Sequence, residues 1–559
     1  MIFFSRIINK KFILRLVAFG VFANGFMIVA STLLEQIFSH ERNGLSTLLT
    51  SLPLLMGLTL TYLATLLKRR KHTAWMVVLP VYGAILLINI INVAMFSGHR
   101  HATPLGFVSN FLLPLIVVFG LVHYRHDFNV KSDTRSFKLA ARTSLLVLVV
   151  ALAYGTAGFQ LMDMHDFHQE ISLGSAMHYT ADQFEITTDK NPVPHTRRAR
   201  LFIDSLSVIS TGAFLYVFVS LFQPLKARLY DQTYSRTEMR RLLREYPSTG
   251  EDYFKTWPHD KLYYFNLYHT AGLAYHVHRG IALTVGDPAG DINKVPELLK
   301  GFSELCRVND WLPAIIHSSP EYNGLYEKGG YSLQKIGEEA VIDISNFQST
   351  TRHNKYFRQI TNRFTKQNYT TELLSPPHSK AVIARLREVS DDWLSLPGRA
   401  ERGFMMGYFS EEYMQRCSVL VLKDDAGTIQ AFINQITSDK GSEANFDLLR
   451  HTKKAPTNSN DYLLLKFIDH IAAEDWTHLT LGLCPLAGLD NSDMERTLID
   501  NTLRFVYANG DRFYSFSGLH RFKSKYNPSW SSRYIAYKGG IRGFTRTLTS
   551  LNKVMNKTN

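Results

Sequence analysis

The chain has 559 residues and a formal net charge of +14, because 62 lysines and arginines outnumber 48 acidic residues. This length exceeds the usual size of one domain, and three scattered cysteines predict neither a disulfide framework nor a redox or metal motif. The positive charge favours partners rich in phosphate, meaning nucleic acid or anionic lipid.

Six apolar runs in the first part of the chain are each long enough to cross a hydrocarbon core of ~30 Å. They cover residues 12–38, 45–67, 74–96, 105–124, 138–161 and 201–223. Loops rich in lysine and arginine (68–72, 124–138) alternate with loops nearly free of them (39–44, 97–104), with an exception at 195–200. The positive-inside rule therefore predicts a multi-pass protein of the bacterial inner membrane with both ends in the cytoplasm.

A basic amphipathic stretch, 223–246, follows the last apolar run and is typical of a helix resting on anionic headgroups. Strand and helix patterns then alternate, restart after about residue 378, and predict an α+β unit that occurs twice with mostly antiparallel sheets. The predicted elements include strands at LPAIIHS (312–318), 442–450 and 478–486 and a helix at 460–475. The predicted domains are 1–228, 229–348, a linking helix 349–372, and 373–559 with the active site.

The linking segment carries basic residues at helical spacing. They are Arg352, Lys355, Arg358, Arg363 and Lys366. Such a helix is either simply solvated or, in a chain this cationic, a contact for the backbone of a nucleic acid.

The stretch GLHRFKSKYNPSW, 518–530, interleaves basic and aromatic residues before an Asn-Pro stop signal. If it is extended, Lys523 and Lys525 share one face, where each suits a phosphate or a developing oxyanion. His520 and Arg521 are predicted to bind substrate beside them. Tyr526 either relays a proton or packs, and the whole patch is otherwise a basic surface edge.

Other polar residues have two interpretations each. Asp461 lies at a predicted helix start, where it either caps the helix or belongs to the site. Glu338, Glu339, Asp391 and Asp392 are expected on solvated faces, although one of them could select a lysyl side chain. The 21 histidines show no HxxxH or HExxH pattern, so no metal is predicted.

The segments FDLLRHTKKAP, TLGLCPLAGL and GLHRFKSKYNPSWSSRYIAYKGG resemble the phosphatidylglycerol lysyltransferase family, which includes the multiple peptide resistance factor. VGDPAG, ERGFMMGYF and NDYLLLKF keep the same order, and the likeness covers about 250–545. It implies two tandem acetyltransferase-like (GNAT-type) folds joined by a positively charged helix.

The resemblance also implies the reaction. An aminoacyl group, with lysyl favoured, moves from aminoacyl-tRNA to the glycerol hydroxyl of phosphatidylglycerol, without a cofactor, and the product protects against cationic antimicrobial peptides. Asp447 would hold the amino acid's ammonium group or orient Arg450, and Arg450 would bind a phosphate or carbonyl; otherwise the two form a structural Asp–Arg pair. Family members carry a longer membrane region with a flippase module, so a separate flippase is expected here, and a homo-oligomer is left open.

Two other functions compete with this one. A membrane-anchored acyltransferase using acyl-CoA would need an Arg/Gln-x-x-Gly-x-Gly/Ala loop before a helix, and RGFMMG has the wrong spacing. A non-enzymatic scaffold that binds lipid or RNA would not need Asp447, Arg450, Lys523 and Lys525 together. The exchange of one ester for another has a small reaction free energy. Catalysis can therefore rest on positioning the substrates and on stabilising the charge of the transition state.

Overall fold

A computed structural model describes residues 10–38, 52–95, 111–131, 134–162, 164–167, 171–182, 194–220, 222, 232–437, 443–488 and 516–556. The chain forms two compact units. The first contains residues 1–225 with 308–310, and the second contains 226–307 with 311–559.

The first unit is helical in the part that the structure describes. Its helices are α1 (Lys10–Phe38), α2 (Leu52–Lys68), α3 (His72–Met95), α4 (Leu113–His123), α5 (Thr134–Leu161), α6 (Met164–Phe167), α7 (Leu173–Asp182) and α8 (Arg197–Ser220). Large apolar side chains such as Phe19, Leu87 and Leu146 are exposed, as expected for helices that face lipid. Gly25 of α1 and Gly57 of α2 let two backbones approach so closely that a Cβ on Gly25 would lie 2.7 Å from the Gly57 oxygen.

Each of the six predicted spans overlaps one of these helices. Two of the described helices are long and apolar enough to cross a membrane by length and composition, Phe12–Leu34 and His72–Ile91. Shorter apolar helices cover Leu54–Lys68, Leu113–His123 and Leu145–Leu161. The described helices therefore do not establish the predicted number of six.

The second unit mixes helices and strands. Its helices are α9 (Thr233–Glu245), α10 (Val295–Val308), α11 (Asn323–Lys328), α12 (Ile344–Ser349), α13 (Lys355–Lys366), α14 (Lys380–Leu394), α15 (Glu411–Met414), α16 (Ser459–Ala473), α17 (Phe516–Ser524) and α18 (Gly540–Met555). Its strands are β1 (Leu262–Phe265), β2 (Ala271–His278), β3 (Ile281–Val285), β4 (Ala289–Gly290), β5 (Leu312–Ser318), β6 (Ser332–Asp343), β7 (Thr370–Leu374), β8 (Val419–Lys423), β9 (Ile429–Asn434), β10 (Ile436–Thr437), β11 (Glu443–Asn445), β12 (Leu449–His451), β13 (His478–Pro485) and β14 (Ser529–Tyr537).

These strands form two sheets. A ten-stranded sheet has the order β1-β2-β3-β5-β14-β6-β13-β11-β10, with β4 paired to β2, and a four-stranded sheet has the order β12-β9-β8-β7. Pairing is antiparallel except between β3 and β5 and between β11 and β13. The expectation of mostly antiparallel α+β structure is confirmed.

The larger sheet crosses the predicted domain boundary. Strand β14 lies between β5 and β6 although it belongs to the predicted domain 373–559. One hydrophobic cluster likewise joins Phe254 and Ile281 to Leu386 and Phe432. The division at 349–372 therefore does not separate two independent cores.

One predicted strand is divided. The run 442–450 gives β11 in the larger sheet and β12 in the smaller one. The side-chain oxygen of Asn434 accepts the backbone N–H groups of Asp447 (3.2 Å) and Leu448 (2.8 Å), which holds the chain in a turn between the two strands. A buried amide thus replaces the ladder hydrogen bonds that a continuous strand would make.

Candidate active site

Ionisable side chains converge near the middle of the ten-stranded sheet. His317 at the end of β5 lies 2.7 Å from a carboxylate oxygen of Glu251. Arg533 of β14 pairs with Glu339 of β6, and the Thr480 hydroxyl donates to the same carboxylate at 2.8 Å. His317, Glu339 and Thr480 are buried, so this central cluster brings charge into the core in paired form.

Irregularities in the strand pairing orient these side chains toward one another. The register of β14 against β5 passes from Ser318 to Ile316, so His317 is an extra residue, and its φ of 65° is left-handed. The pairing of β13 with β6 also shifts between Thr480 and Leu483. Such bulges leave backbone groups unpaired and redirect side chains, as they do beside many active sites.

Lys523 of α17 uses the carbonyls that the β13 bulge releases. Its Nζ donates to the oxygens of Gly482 at 2.7 Å and Leu483 at 2.9 Å. An ammonium group has three donors, so one N–H remains for another acceptor. Burial lowers the pKa of Lys523 to about 8, an effect that Cys484, Glu339 and Glu251 partly oppose.

The carboxyl groups of the central cluster do not behave alike. Burial raises the pKa of Glu339, and the neighbouring Glu251 carboxylate raises it further. Burial also raises the pKa of Glu443 to about 7, while its carboxylate accepts the Gly250 N–H at 2.8 Å. For His317, burial lowers the pKa, but the Glu251 carboxylate outweighs it and the net direction is upward.

Three of these groups have the spacing of cation ligands. Ligand atoms of Glu251, His317 and Glu339 lie within 4.8 Å of one another. Arg533 already compensates the charge of Glu339, which weakens the set as a metal site. That the reaction needs no metal stays a prediction.

Asp447 lies in a separate buried niche. Its Oδ1 accepts the Tyr413 hydroxyl at 2.7 Å and the Asn434 amide at 2.7 Å. Its Oδ2 lies against Gly407, where a Cβ would come within 2.0 Å. Burial raises the pKa of Asp447, and these hydrogen bonds and Arg450 act in the opposite direction.

The structure contradicts the expected role of Arg450. Both terminal nitrogens of its guanidinium bind the Glu401 carboxylate, at 2.8 and 2.7 Å, and the group stacks over Trp393. Ser390 accepts another hydrogen bond from it. Arg450 is therefore committed within the protein instead of being free for a phosphate or carbonyl, and Glu401 orients it, not Asp447.

The segment 518–530 is not extended as expected. It enters α17, so Lys523 and Lys525 do not share a face. Lys525 lies just beyond the helix and binds Asp461 at 3.0 Å and the Tyr356 hydroxyl at 2.8 Å. Asp461 is thus a partner of Lys525. Tyr526 is buried, and burial together with Asp461 raises its pKa well above 10, which favours packing over proton relay.

His520 and Arg521 are exposed at the edge of a cavity of about 540 Å³. Residues 484–488 and Ser524 line its other side. His520 also stacks on Trp530, with ring centroids 4.4 Å apart. Their predicted role in binding substrate stays a prediction, and this cavity is where it would act.

The basic helix divides into engaged and exposed residues. Arg352 lies in a turn before α13 and binds both carboxylate oxygens of Asp469, at 2.9 and 3.1 Å. Arg363 donates to the Thr457 carbonyl and to Asn458. Lys355, Arg358 and Lys366 are exposed, so they are the predicted contacts that are available to a nucleic acid.

The sequence analysis missed most of the central cluster. Glu251, His317, Glu443 and Arg533 were not selected, and Glu339 was expected on a solvated face but is 2% exposed. One signal was available, because His317 ends the otherwise apolar run LPAIIHS. An ionisable residue at the end of a buried strand requires a partner that the sequence alone does not name.

Residues 240–537, more than half of the chain, match the family described as phosphatidylglycerol lysyltransferase, C-terminal. The chain belongs to this family. Residues 14–170 match a second family, the transmembrane region of lysyl-tRNA synthetase. This match and the two long apolar helices indicate a membrane protein.

Several phosphatidylglycerol lysyltransferases resemble the chain. That of Bacillus subtilis is 30% identical over 304 residues, which are 53% of this chain and 34% of the relative. That of Staphylococcus epidermidis is 23% identical over 495 residues, which are 84% of this chain and 54% of the relative. The chain thus spans a third to about half of the length of these relatives.

A solved structure of L-PGS from Bacillus licheniformis has a similar fold. It is 29% identical, and the match covers 57% of this chain and 96% of that one with a TM-score of 0.51. The second unit of this phosphatidylglycerol lysyltransferase family member therefore shares its architecture with L-PGS.

Proposed function

We propose that this membrane protein transfers a lysyl group from lysyl-tRNA to a glycerol hydroxyl of phosphatidylglycerol. The observation that carries the proposal is the family match over 240–537. The central cluster lies within this region and supplies paired acids and bases in a buried setting. Such perturbed ionisable groups are typical of sites that move protons.

The chemistry is an exchange of one ester for another. The glycerol oxygen forms a bond to the ester carbonyl carbon, the bond from that carbon to the ribose oxygen breaks, and the hydroxyl proton passes to the ribose. Lys523 would stabilise the negative oxygen of the intermediate with its third N–H. His317 would carry the proton, because Nδ1 is fixed by Glu251 and Nε2 is buried without a hydrogen-bond partner among the residues that the structure describes.

The acids of the cluster also bear on the choice of amino acid. Glu251, Glu339 and Glu443 lie close enough to affect one another's pKa. Glu251 faces His317 and Glu339 faces Arg533, whereas Glu443 accepts a backbone N–H. Glu443 would therefore receive the side-chain ammonium group of a lysyl residue, which supports lysyl over an uncharged residue. Lysyl transfer would change a headgroup of charge about −1 to about +1, which repels cationic antimicrobial peptides.

The proposal includes the setting of the reaction. The chain would pass the inner membrane several times, as the alternation of basic and nonbasic loops supports. Its catalytic unit would lie in the cytoplasm, where aminoacyl-tRNA is present, and no cofactor would be needed. A separate flippase would move the product outward, and self-association is open to measurement by light scattering of the purified protein.

The test is production of the lipid in a bacterial host that lacks aminoacylated lipids. Lysyl-phosphatidylglycerol should appear in the mass spectrum of the extracted lipids, and lysine incorporation into isolated membranes should stop after RNase treatment. A variant with Lys523→Met should produce about 10²–10³-fold less lysyl-phosphatidylglycerol while remaining in the membrane. If purified protein leaves lysyl-tRNA and phosphatidylglycerol vesicles unchanged, the proposal is wrong.

A further inference from the structure

A cationic pocket lies apart from the central cluster. Its volume is about 230 Å³, and it is lined by Arg240 and Arg244 of α9, Arg416 after α15, Asp252, Tyr253 and Trp257. Three guanidinium groups from two separate segments thus meet one carboxylate. Asp252 pairs with Lys255 and Arg416 pairs with Glu412, so the excess of positive charge at the pocket comes from Arg240 and Arg244.

Helix α9 presents its charges in an unusual way. Arg241 is neutralised by Glu238 at 3.2 Å and by Glu245 at 2.6 Å. Arg240 and Arg244 are one turn apart on the pocket side, and neither forms an ion pair within the part of the chain that the structure describes. Like charges four residues apart destabilise a helix, so a bound anion would remove a cost that the protein otherwise bears.

The apolar face of α9 fixes this arrangement. Met239, Leu242 and Leu243 are buried against Ala274 and Ala289 of the second unit. The lysines and arginines of the stretch 223–246 were expected to rest on headgroups, which stays a prediction, and residues 223–231 of it lie outside the described residues. The apolar side of α9 is covered by protein. Its arginines are therefore held at a pocket by a rigid element instead of lying on a surface of undefined shape.

Aromatic rings form the inner wall. The Arg416 guanidinium lies 4.8 Å from the Trp257 ring, and Trp257 stacks on Tyr413 with centroids 5.6 Å apart. Tyr413 in turn donates to Asp447 at 2.7 Å. The pocket is therefore one aromatic layer away from the Asp447 niche without sharing its polar groups. Arg416 also donates from one terminal nitrogen to Glu412 at 2.8 Å, so it offers an anion the remaining N–H groups of its stacked guanidinium.

We propose that this pocket binds the phosphate of an anionic glycerophospholipid headgroup, with Arg240, Arg244 and Arg416 as donors. Planar guanidinium groups bind phosphate through paired hydrogen bonds. A single compact pocket suits one phosphate, whereas an RNA backbone is usually followed by a longer basic groove with several aromatic platforms. In sequence, α9 is also the first helix after the apolar helix α8 among the described residues.

The inference deepens the proposed function and rests on it for the identity of the lipid as the acceptor. It adds a headgroup site that is separate from the transfer chemistry. Binding can be measured without transfer, so the two proposals can fail independently.

The experiment uses the full chain in an uncharged detergent and isothermal titration with short-chain phosphatidylglycerol. Parallel titrations use short-chain phosphatidylcholine, sn-glycerol 3-phosphate and a tRNA acceptor minihelix. The variants are Arg240→Gln, Arg416→Gln and their combination. Arg387→Gln is the matched control, because it removes another exposed guanidinium that stacks on an aromatic ring, Phe409, at 5.1 Å.

Loss of charged hydrogen bonds to the phosphate should weaken phosphatidylglycerol binding about tenfold in each single variant and more in the double variant. The control should stay within about twofold of the unchanged protein. Glycerol phosphate should show the same dependence more weakly if the headgroup phosphate is the ligand, and phosphatidylcholine should bind less than phosphatidylglycerol.

An unchanged lipid affinity in the double variant would overturn the inference, as would a loss confined to the tRNA minihelix, which would assign the pocket to RNA. If lipid binding depends on the arginines but no lysyl transfer occurs, the inference about the pocket stands and the proposed function is wrong. If lysyl transfer occurs but lipid binding does not depend on the arginines, the proposed function stands and the inference about the pocket is wrong.

Discussion

The basic helix α13, with the turn before it, and the centre of the ten-stranded sheet use charge in different ways. Around α13, Arg352 and Arg363 bind their own protein, and Lys355 and Arg358 are exposed. In the sheet centre, the largely buried Arg533 pairs with the Glu339 carboxylate, and the buried Lys523 binds backbone carbonyls. Exposed charge gives weak local stabilisation, whereas buried charge is costly unless every partner is present.

This difference shows that the number of charged residues in a sequence segment does not indicate their role in the folded protein. A run of lysines and arginines is visible in the sequence, but many of its members prove to be structural. The central cluster is assembled from six separate segments, and its members follow no common motif in the sequence. The following predictions test whether substitutions of buried charged residues change the stability and activity of the protein more than substitutions of exposed ones.

The largest effect is expected for Arg533→Met. It leaves the buried Glu339 without its partner, which should destabilise the second unit by about 3–5 kcal/mol. Lys335→Met breaks a more exposed pair with Glu338 and should cost less than about 1 kcal/mol. Thermal unfolding of the detergent-solubilised protein, followed by protease resistance, compares the two. Equal effects would mean that burial does not distinguish these pairs.

Substitutions of the two lysines in the motif 518–530 should affect activity to different extents. Lys523→Met removes the donor beside the central cluster and should lower kcat about 10²–10³-fold. Lys525→Met loses its pair with Asp461 and should lower it less than about tenfold. Because the pKa of Lys523 is about 8, activity of the unchanged protein should also decline above that pH. The measurement is labelled lysine in extracted lipid, and a larger loss for Lys525→Met would reverse the assignment.

The raised pKa of Glu443 predicts how the stability of the protein depends on pH. Its folded-state pKa of about 7 lies above its ordinary value of 4.5, so the folded protein holds a proton that the unfolded chain releases. This group's contribution to stability is complete below about pH 4.5 and is lost as the pH rises to about 7. The difference in unfolding temperature between the unchanged protein and Glu443→Gln should vary across this interval only. A constant difference would show that Glu443 is not buried as described.

The smallest effect is expected on α13. A double variant, Lys355→Gln with Arg358→Gln, should raise the KM for lysyl-tRNA a few-fold, reduce its dependence on salt, and leave kcat unchanged. Arg352→Gln should instead lower stability, because it frees Asp469, with little change in the salt dependence. Filter binding over a series of salt concentrations makes the distinction. A fall in kcat for the double variant would place these residues nearer the chemistry than the structure does.

Much of the fold could be predicted from local pattern. Strand β5 begins and ends where the apolar run LPAIIHS predicts, and α16 and β13 agree with their predicted bounds to within two residues. Strand β14 was missed because SWSSRYIAY has polar residues where it passes the cluster, and its neighbours are distant in sequence. The site was harder still. Asp447 and Lys523 were selected by resemblance and by charge, but the bulges at His317 and Gly482 that create their surroundings depend on pairing between remote strands.

The position of β14 also affects how the protein is made. The ribosome produces β5 and β6 long before β14, which later separates them in the sheet. Until then each has an open edge that cannot pair with its final neighbour, and the halves of the sheet cannot join. Pairing across such a sequence distance is slow, so the nascent chain must keep these edges from other partners until β14 emerges.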